Sequence, residues 1–305
     1  MTVTDLHRAY RDELLAHGLL ISTGVDGLYG RSGTFEAVVE GINRAVSAVG
    51  DADRPEVMRF PPGIGRWQLE HSGYLKSSPQ LAGTVHSFMG SDADHRAMLE
   101  TLTQGGNWTE GQRTTQVALA PAACYAVYPV IGGRGRMAPE GALVDCYTYC
   151  FRHEPSIDPA RMQMFRMREH VRLGNEEQAL AFREKWKERA QAIIGSFGLP
   201  FTLDIANDPF FGRTGRLLAA SQREESLKFE LLVPIHAAEH PTACVSFNYH
   251  RDLFGRAWKI ETESGETAHT ACVGFGVERI TLALFKHHGL VVERWPASVR
   301  DVLGL

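Results

Sequence analysis

The stretch FRMREHVRL, residues 165–173, alternates strictly: Phe165, Met167, Glu169, Val171 and Leu173 face one way, and Arg166, Arg168, His170 and Arg172 the other. A period of two specifies an extended strand, because successive side chains of a strand leave on opposite faces. One member of the apolar file is a carboxylate. Burying an unpaired carboxylate costs several kcal/mol, so Glu169 requires a cation, a metal or a proton. An ion pair with an interior arginine and a functional site satisfy that demand equally well.

The segment just upstream, CYTYCFRHEPSIDPA, supplies the partner strand. Alternation puts Cys146, Thr148, Cys150, Arg152 and Glu154 on one face and Tyr147, Tyr149, Phe151 and His153 on the other. Pro155, Asp158 and Pro159 then turn the chain. Arg152 and Glu154 point inward near the turn, as a ligand-facing pair or a plain salt bridge.

The rest of the chain reads as helices flanking more strands. In segment 33–50, Phe35, Val38, Val39, Ile42, Val46 and Val49 form one helical stripe that stops at Gly50. EVMRFPP (56–62) is a short strand ended by two prolines, and a capped helix is expected in the nineties. VALAPAACYAVYPVI (117–131) leans toward strand. A helix over 176–197 begins after Asn175, with Gln178 completing a capping box. FTLDI, LKFELLVPI, TACVSFNY, RAWKIE and HTACVGF read as strands, and a last helix covers about 276–288. The fold class is α+β with a largely antiparallel sheet, in a single domain over 1–305 whose first 30 residues form a helical extension.

Composition narrows the function classes. The net charge is −4 with both signs interspersed, which provides no basic field for a nucleic-acid backbone. Five cysteines without dense spacing are not a disulfide framework. The N-terminus mixes acids and bases in an amphipathic helix, and no apolar run reaches the roughly 18 residues of a membrane span. The expectation is a cytoplasmic protein with free thiols.

HTACVGFGVERI (269–280) lacks the third glycine and the downstream acid of a dinucleotide-binding loop. It has another resemblance. Arg152-His-Glu154, a loop, then Phe165 and Glu169 four apart resembles motif 2 of class II aminoacyl-tRNA synthetases. Gly274-Phe-Gly276-Val-Glu-Arg279 is similar to motif 3, and the 33–50 helix with its Pro-ended strand is similar to motif 1. The three occur in family order across roughly residues 30–290.

This resemblance implies an ATP site over the sheet. Arg152 would hold the α-phosphate, Arg279 the γ-phosphate and Phe165 the adenine face, with Glu154 near the adenine amino group and Arg161 as a further phosphate contact. Lys228 and Glu230 would contribute to nucleotide and Mg²⁺ binding, with Ala243, Ser246 and Asn248 on the substrate side. An exposed half of an amphipathic strand is the plain alternative for these positions. Phosphoryl chemistry is mostly positioning plus neutralisation of spread charge, which arginine forks supply.

Cys124, Glu169 and Cys272 match the zinc ligands of the atypical zinc-dependent seryl-tRNA synthetases and their truncated homologues, the amino acid:[carrier protein] ligases. Three protein ligands leave a fourth position of zinc open, where the resemblance places the substrate's neutral α-amino group. Cys146, Cys150 and Cys244 are expected to be core residues. Motif 1 starts about thirty residues from the first residue, so no tRNA-binding domain is expected. The reading is a ligase that activates glycine or alanine with ATP, passes it to a carrier protein's phosphopantetheine thiol in trans, and forms a homodimer through motif 1. A compact tRNA-charging enzyme and a non-catalytic amino-acid or nucleotide sensor are the alternatives. Arg213, Arg216 and Arg223 are the candidate carrier-docking charges.

Overall fold

The computed structural model describes residues 2–208, 210–212, 219 and 222–305. Arg213 and Arg216 lie outside the described residues. In chain order the strands are β1 (Leu20–Val25) and β2 (Leu28–Arg31), which form a hairpin, then β3 (Glu56–Arg59). Strands β4 (Gly63–Gly65), β5 (Thr84–Phe88) and β6 (Gln112–Leu119) make a small antiparallel sheet. They are followed by β7 (Ala142–Phe151), β8 (Met164–Gly174) and β9 (Thr202–Ile205). The last three are β10 (Lys228–Ala237), β11 (His240–Arg251) and β12 (His269–Gly276). The main sheet has seven strands in the order β3-β7-β8-β12-β11-β10-β9, and only the β3–β7 pair is parallel.

The expected hairpin is the β7–β8 pair, with Cys146 opposite Glu169 and Cys150 opposite Phe165. On the other side of β8, Gly274 of β12 sits opposite Glu169, and Cys272 opposite Val171. One face of the sheet packs on three helices: Gly33–Gly50, Glu176–Ser196 and Val277–His288. Ser32 caps the first of them, its hydroxyl accepting the Phe35 N–H at 3.2 Å, and the stripe from Phe35 to Val46 is buried. The helix ends where Gly50 meets the ring of His170, and a Cβ at Gly50 would overlap that imidazole. The other face carries a second cluster that includes Cys124, Tyr128, Cys146, Val171, Leu173, Phe254 and Cys272.

The arginine file of β8 is therefore as deeply buried as the apolar file. Arg166 is 7% exposed, Arg168 5% and His170 0%. Burial is sustained by pairing. Arg166 takes the Glu278 carboxylate on both its backbone N–H and Nε, each at 2.7 Å, and forks onto Glu36 at 2.6 and 2.9 Å. Arg31 reaches Glu278 at 3.3 Å. Arg168 forks onto Asp145 at 2.6 and 2.5 Å. One charge cluster thus joins the Gly33–Gly50 helix, the hairpin and the head of the Val277–His288 helix.

Four expectations change. The helix expected to be the last, Val277–His288, is followed by a further one, Ala297–Leu303. The N-terminal extension is a helix, Val3–Ala16, followed by the β1–β2 hairpin rather than helix throughout. In segment 117–131 the strand stops at Leu119, and Ala123–Ala126 forms a 3-10 turn leading into a helix over Val127–Gly132. RAWKIE is not a strand: Leu253–Trp258 is a helix, with Arg256 Nε bound back to Asp252 at 2.6 Å.

Replacing Arg166 by Leu leaves Glu278, 2% exposed, with Arg31 as its remaining cation. The expected loss is about 3–5 kcal/mol, read from the shift of the urea midpoint. Glu36→Gln, at a side chain 35% exposed, should cost less than about 1 kcal/mol. Equal effects of the two substitutions would contradict this account of the cluster.

Candidate functional site

Cys124, Glu169 and Cys272 are brought together. Their ligand atoms lie within 4.8 Å of one another, and all three residues are buried. They come from two strands, β8 and β12, and from the 3-10 turn, so the expectation of three strands is corrected for Cys124. The turn aims the backbone as well as the thiol: Ala123 N–H donates to Glu169 Oε1 at 2.8 Å. Glu169 Oε2 is buried without a hydrogen-bond partner. Burial, with Cys272 beside it, pushes the Glu169 carboxyl up to about 7. A half-satisfied carboxylate between two thiols fits a divalent soft metal, which supplies the charge that the fold leaves missing.

The thiols share their environment unequally. Hydrogen bonding from Cys124, with His250 and Asn248 adding to it, pulls the Cys272 thiol well down, and the same bond pushes Cys124 up. Asn248 Nδ2 donates to Cys272 Sγ at 3.4 Å, and His250 Nε2 lies 3.8 Å from it. Cys146, Cys150 and Cys244 are 0%, 1% and 2% exposed within the core, as expected from the sequence.

A cationic group stands beside this cluster, with Arg152 near enough to Glu169 to favour its charged form. Arg152 follows β7 directly, its Nε donating to Pro121 O at 3.1 Å and its guanidinium lying 5.4 Å from the Phe165 ring centroid. Arg279, in the first turn of the Val277–His288 helix, is fixed by bonds from Nε to Ala160 O and from Nη1 to Ala243 O, both 2.9 Å. Burial, aggravated by Arg152 and Arg161 nearby, pulls the Arg279 pKa below its ordinary value. Arg161 pairs with Glu154 at 3.2 Å. Arginines crowded this way favour an anion among them. Lys228 and Glu230 pair at 3.0 Å, and Lys228 also holds Asp208 at 2.5 Å. Registers set Glu230 beside Ser246 and Lys228 beside Asn248, and β12 then adds Gly274 and Cys272 in the same two rows. The candidates of the nucleotide and substrate sets thus lie on β8, β10 and β11, with Arg152, Glu154 and Arg161 in the segment between β7 and β8 and Arg279 in the helix that follows β12. Arg223 is exposed and bonds Ile205 O at 2.8 Å, away from the cluster's strands β8 and β12.

Several residues here carried no signal in the sequence. Tyr74 and Tyr125 meet edge to face at 5.6 Å, and the Tyr74 hydroxyl is buried without a partner. Burial pushes it up to about 12. Tyr128 stacks on Phe254 at 4.0 Å beside Cys124. These rings sit on short helices, where isolated tyrosines follow no period. Gly274 matters by its lack of a side chain: a Cβ there would stand 3.0 Å from Met167 Cε, 3.4 Å from Ser246 Oγ and 3.5 Å from Glu169 Cγ.

No protein-family model matches the chain. Two curated proteins of Bradyrhizobium diazoefficiens are close in sequence. Amino acid–[acyl-carrier-protein] ligase 2 is 49% identical, over 95% of this chain and 87% of its own length. Amino acid–[acyl-carrier-protein] ligase 1 is 46% identical, over 95% of this chain and 89% of its own. Among solved structures, the M. kandleri SerRS in complex with A. aeolicus tRNASec superposes with a TM-score of 0.81 at 21% identity. It covers 96% of this chain, which spans 60% of that larger protein. The architecture is thus that of the class II seryl-tRNA synthetases, as the order of the three motifs implied. At 49% identity over nearly its whole length, the chain belongs to the family of amino acid–[acyl-carrier-protein] ligases.

Proposed function

We propose that this protein activates a small amino acid, glycine or alanine, with ATP·Mg²⁺ and transfers it through an aminoacyl-adenylate to the phosphopantetheine thiol of a separate carrier protein. The observation that carries the reading is the placement of the buried Cys124–Glu169–Cys272 cluster next to the Arg152–Arg161–Arg279 group. One of these suits the amino end of a substrate, and the other its carboxylate and a polyphosphate. Cys124, Glu169 and Cys272 would hold zinc, which when bound supplies a Lewis-acid position for the substrate's neutral amine.

The chain's own groups account for the rest. Arg152, braced by Pro121 O and the Phe165 ring, is positioned to neutralise the phosphate attacked by the substrate carboxylate. Arg279 is oriented by two backbone carbonyls before ligand arrives, so little order need be gained on binding. Phe165 offers a stacking face on the same strand as Glu169. Lys228, Glu230, Ser246 and Asn248 line the adjoining rows. A Cβ at Gly274 would press on Met167 Cε beside Ser246 and Glu169, and a site walled this closely favours a small side chain. The first 30 residues and the remainder are read as one catalytic domain, and a motif 1 homodimer is part of the proposal.

The direct test offers the protein ATP, one amino acid at a time, and either a phosphopantetheine-bearing carrier protein or bulk tRNA. A thioester adduct on the carrier, seen by intact mass, with glycine or alanine fastest and tRNA uncharged, is the expected result. Charging of tRNA in preference to the carrier would favour a compact synthetase, and no reaction with either would favour a sensor. Gly274→Ala should raise the amino-acid KM by about tenfold, roughly 1.4 kcal/mol, and leave the KM for ATP unchanged. A uniform effect on both substrates would contradict the placement of Gly274 at the amino-acid end.

A further inference from the structure

Among the described residues a second set of metal-competent side chains converges away from the thiol cluster. His7 comes from the Val3–Ala16 helix, Asp158 from the loop between β7 and β8, and His236 from β10. Their ligand atoms all lie within 4.8 Å of one another. His236 Nε2 is 2.8 Å from Asp158 Oδ1, and His7 Nε2 is 3.9 Å from Asp158 Oδ2. The two imidazole centroids are 4.4 Å apart, with the rings tilted by 59°. Metal–ligand bonds of about 2.0–2.2 Å place the donors of one ion roughly 3–4 Å apart. The separations already fall close to that range.

We propose that His7, Asp158 and His236 form a second divalent transition-metal site, which pins the β7–β8 loop to the N-terminal helix. Two imidazoles and one carboxylate are the donor set that nitrogen-preferring ions such as Zn²⁺, Co²⁺, Ni²⁺ and Fe²⁺ take.

Exposure is graded: the His236 side chain is 2% exposed, Asp158 12% and His7 22%. The site is thus closed at β10 and open at the helix, where an ion and its remaining waters would arrive. His236 Nδ1 is buried without a partner, so the fold alone gives this buried ring a single hydrogen bond. Tyr10 closes one side, its ring 5.7 Å from His236 and its hydroxyl held by Leu282 O at 2.6 Å. The other charged groups acting on His7 are Arg161 and His240.

An ion here would reach the nucleotide side through the backbone. Asp158 Oδ1 accepts the Ala160 N–H at 2.8 Å, and Ala160 O is the acceptor that fixes Arg279 Nε. The same loop carries Arg161 and its partner Glu154. Occupancy would therefore restrict the loop that bears these groups. This inference stands apart from the zinc reading of the thiol cluster, since the two donor sets share no residue.

Cobalt(II) is the probe, because thiolate ligation adds a charge-transfer band that imidazole and carboxylate ligation lacks. The full-length Cys124→Ser/Cys272→Ser protein, freed of metal and titrated with Co²⁺, should bind one ion per chain, with d–d bands and no thiolate band. His7→Gln and Asp158→Asn in that background should each weaken binding at least about tenfold. His7→Gln lies on a partly exposed helix face and serves where Asp158→Asn disturbs the loop. If the serine variant does not fold, wild-type protein should bind two Co²⁺ and its His7→Gln form one, with the thiolate band retained. No imidazole-type binding, or affinity unchanged by His7→Gln, would overturn the proposal. Loss of the thiolate band alone would bear on the zinc reading and not on this one.

Discussion

Glu169 is the constraint around which the site is arranged. Its strand lies between β7 and β12 in the main sheet, and the residue is 1% exposed. One oxygen is satisfied by the Ala123 N–H and the other by nothing in the described chain. A buried, half-paired carboxylate is tolerated where a ligand completes it, and strongly perturbed groups of this sort gather at functional sites. Cys272 and Cys124 approach the same point from β12 and from the 3-10 turn, and Gly274 stands opposite Glu169 with no side chain to crowd it. The polar cost accepted at this position is what distinguishes the cluster from an ordinary core cysteine pair.

The opposite face of the same strand holds the scaffold in register. Arg166 satisfies Glu278 and Glu36 together, and Glu278 immediately precedes Arg279. The helix 33–50, the β8 strand and the head of the Val277–His288 helix are therefore joined at one guanidinium. Arg168 repeats the device with Asp145, and its Nη2 also reaches Ser47 of the 33–50 helix at 2.9 Å. Side chains of β8 thus alternate between binding the site on one face and fixing the elements that carry Arg279 on the other. A one-residue slip of β8 would exchange the two sets, so the sheet register and the site are specified by the same pattern.

Much of this was legible because it depends on local period. The alternation of 165–173, the stripe of 33–50 and the Asn175 capping box each match an element of the structure. The misreadings occurred where composition and tertiary context disagree. The run around Cys124 is rich in valine, alanine and tyrosine, yet it folds as a 3-10 turn and helix packed on Phe254 and Trp258. RAWKIE alternates only briefly, and its first residues are taken into a helix by the Asp252–Arg256 contact. The charge cluster was invisible because Glu36, Arg166 and Glu278 stand 130 and 112 positions apart. The tyrosines near Cys124 and the His7–Asp158–His236 group arise from the same kind of long-range convergence, which no spacing in the sequence announces.

The central claim is that the thiol cluster and the arginine group serve one adenylate-forming reaction. Amino-acid-dependent ATP–pyrophosphate exchange, measured with bound zinc on wild-type protein and on Cys272→Ser, tests it most directly. The account predicts exchange with glycine or alanine in the zinc-loaded wild type, and loss of both zinc and exchange in Cys272→Ser while ATP still binds. Absence of exchange with every amino acid, or a Cys272→Ser protein that keeps its zinc and its full exchange rate, would contradict it.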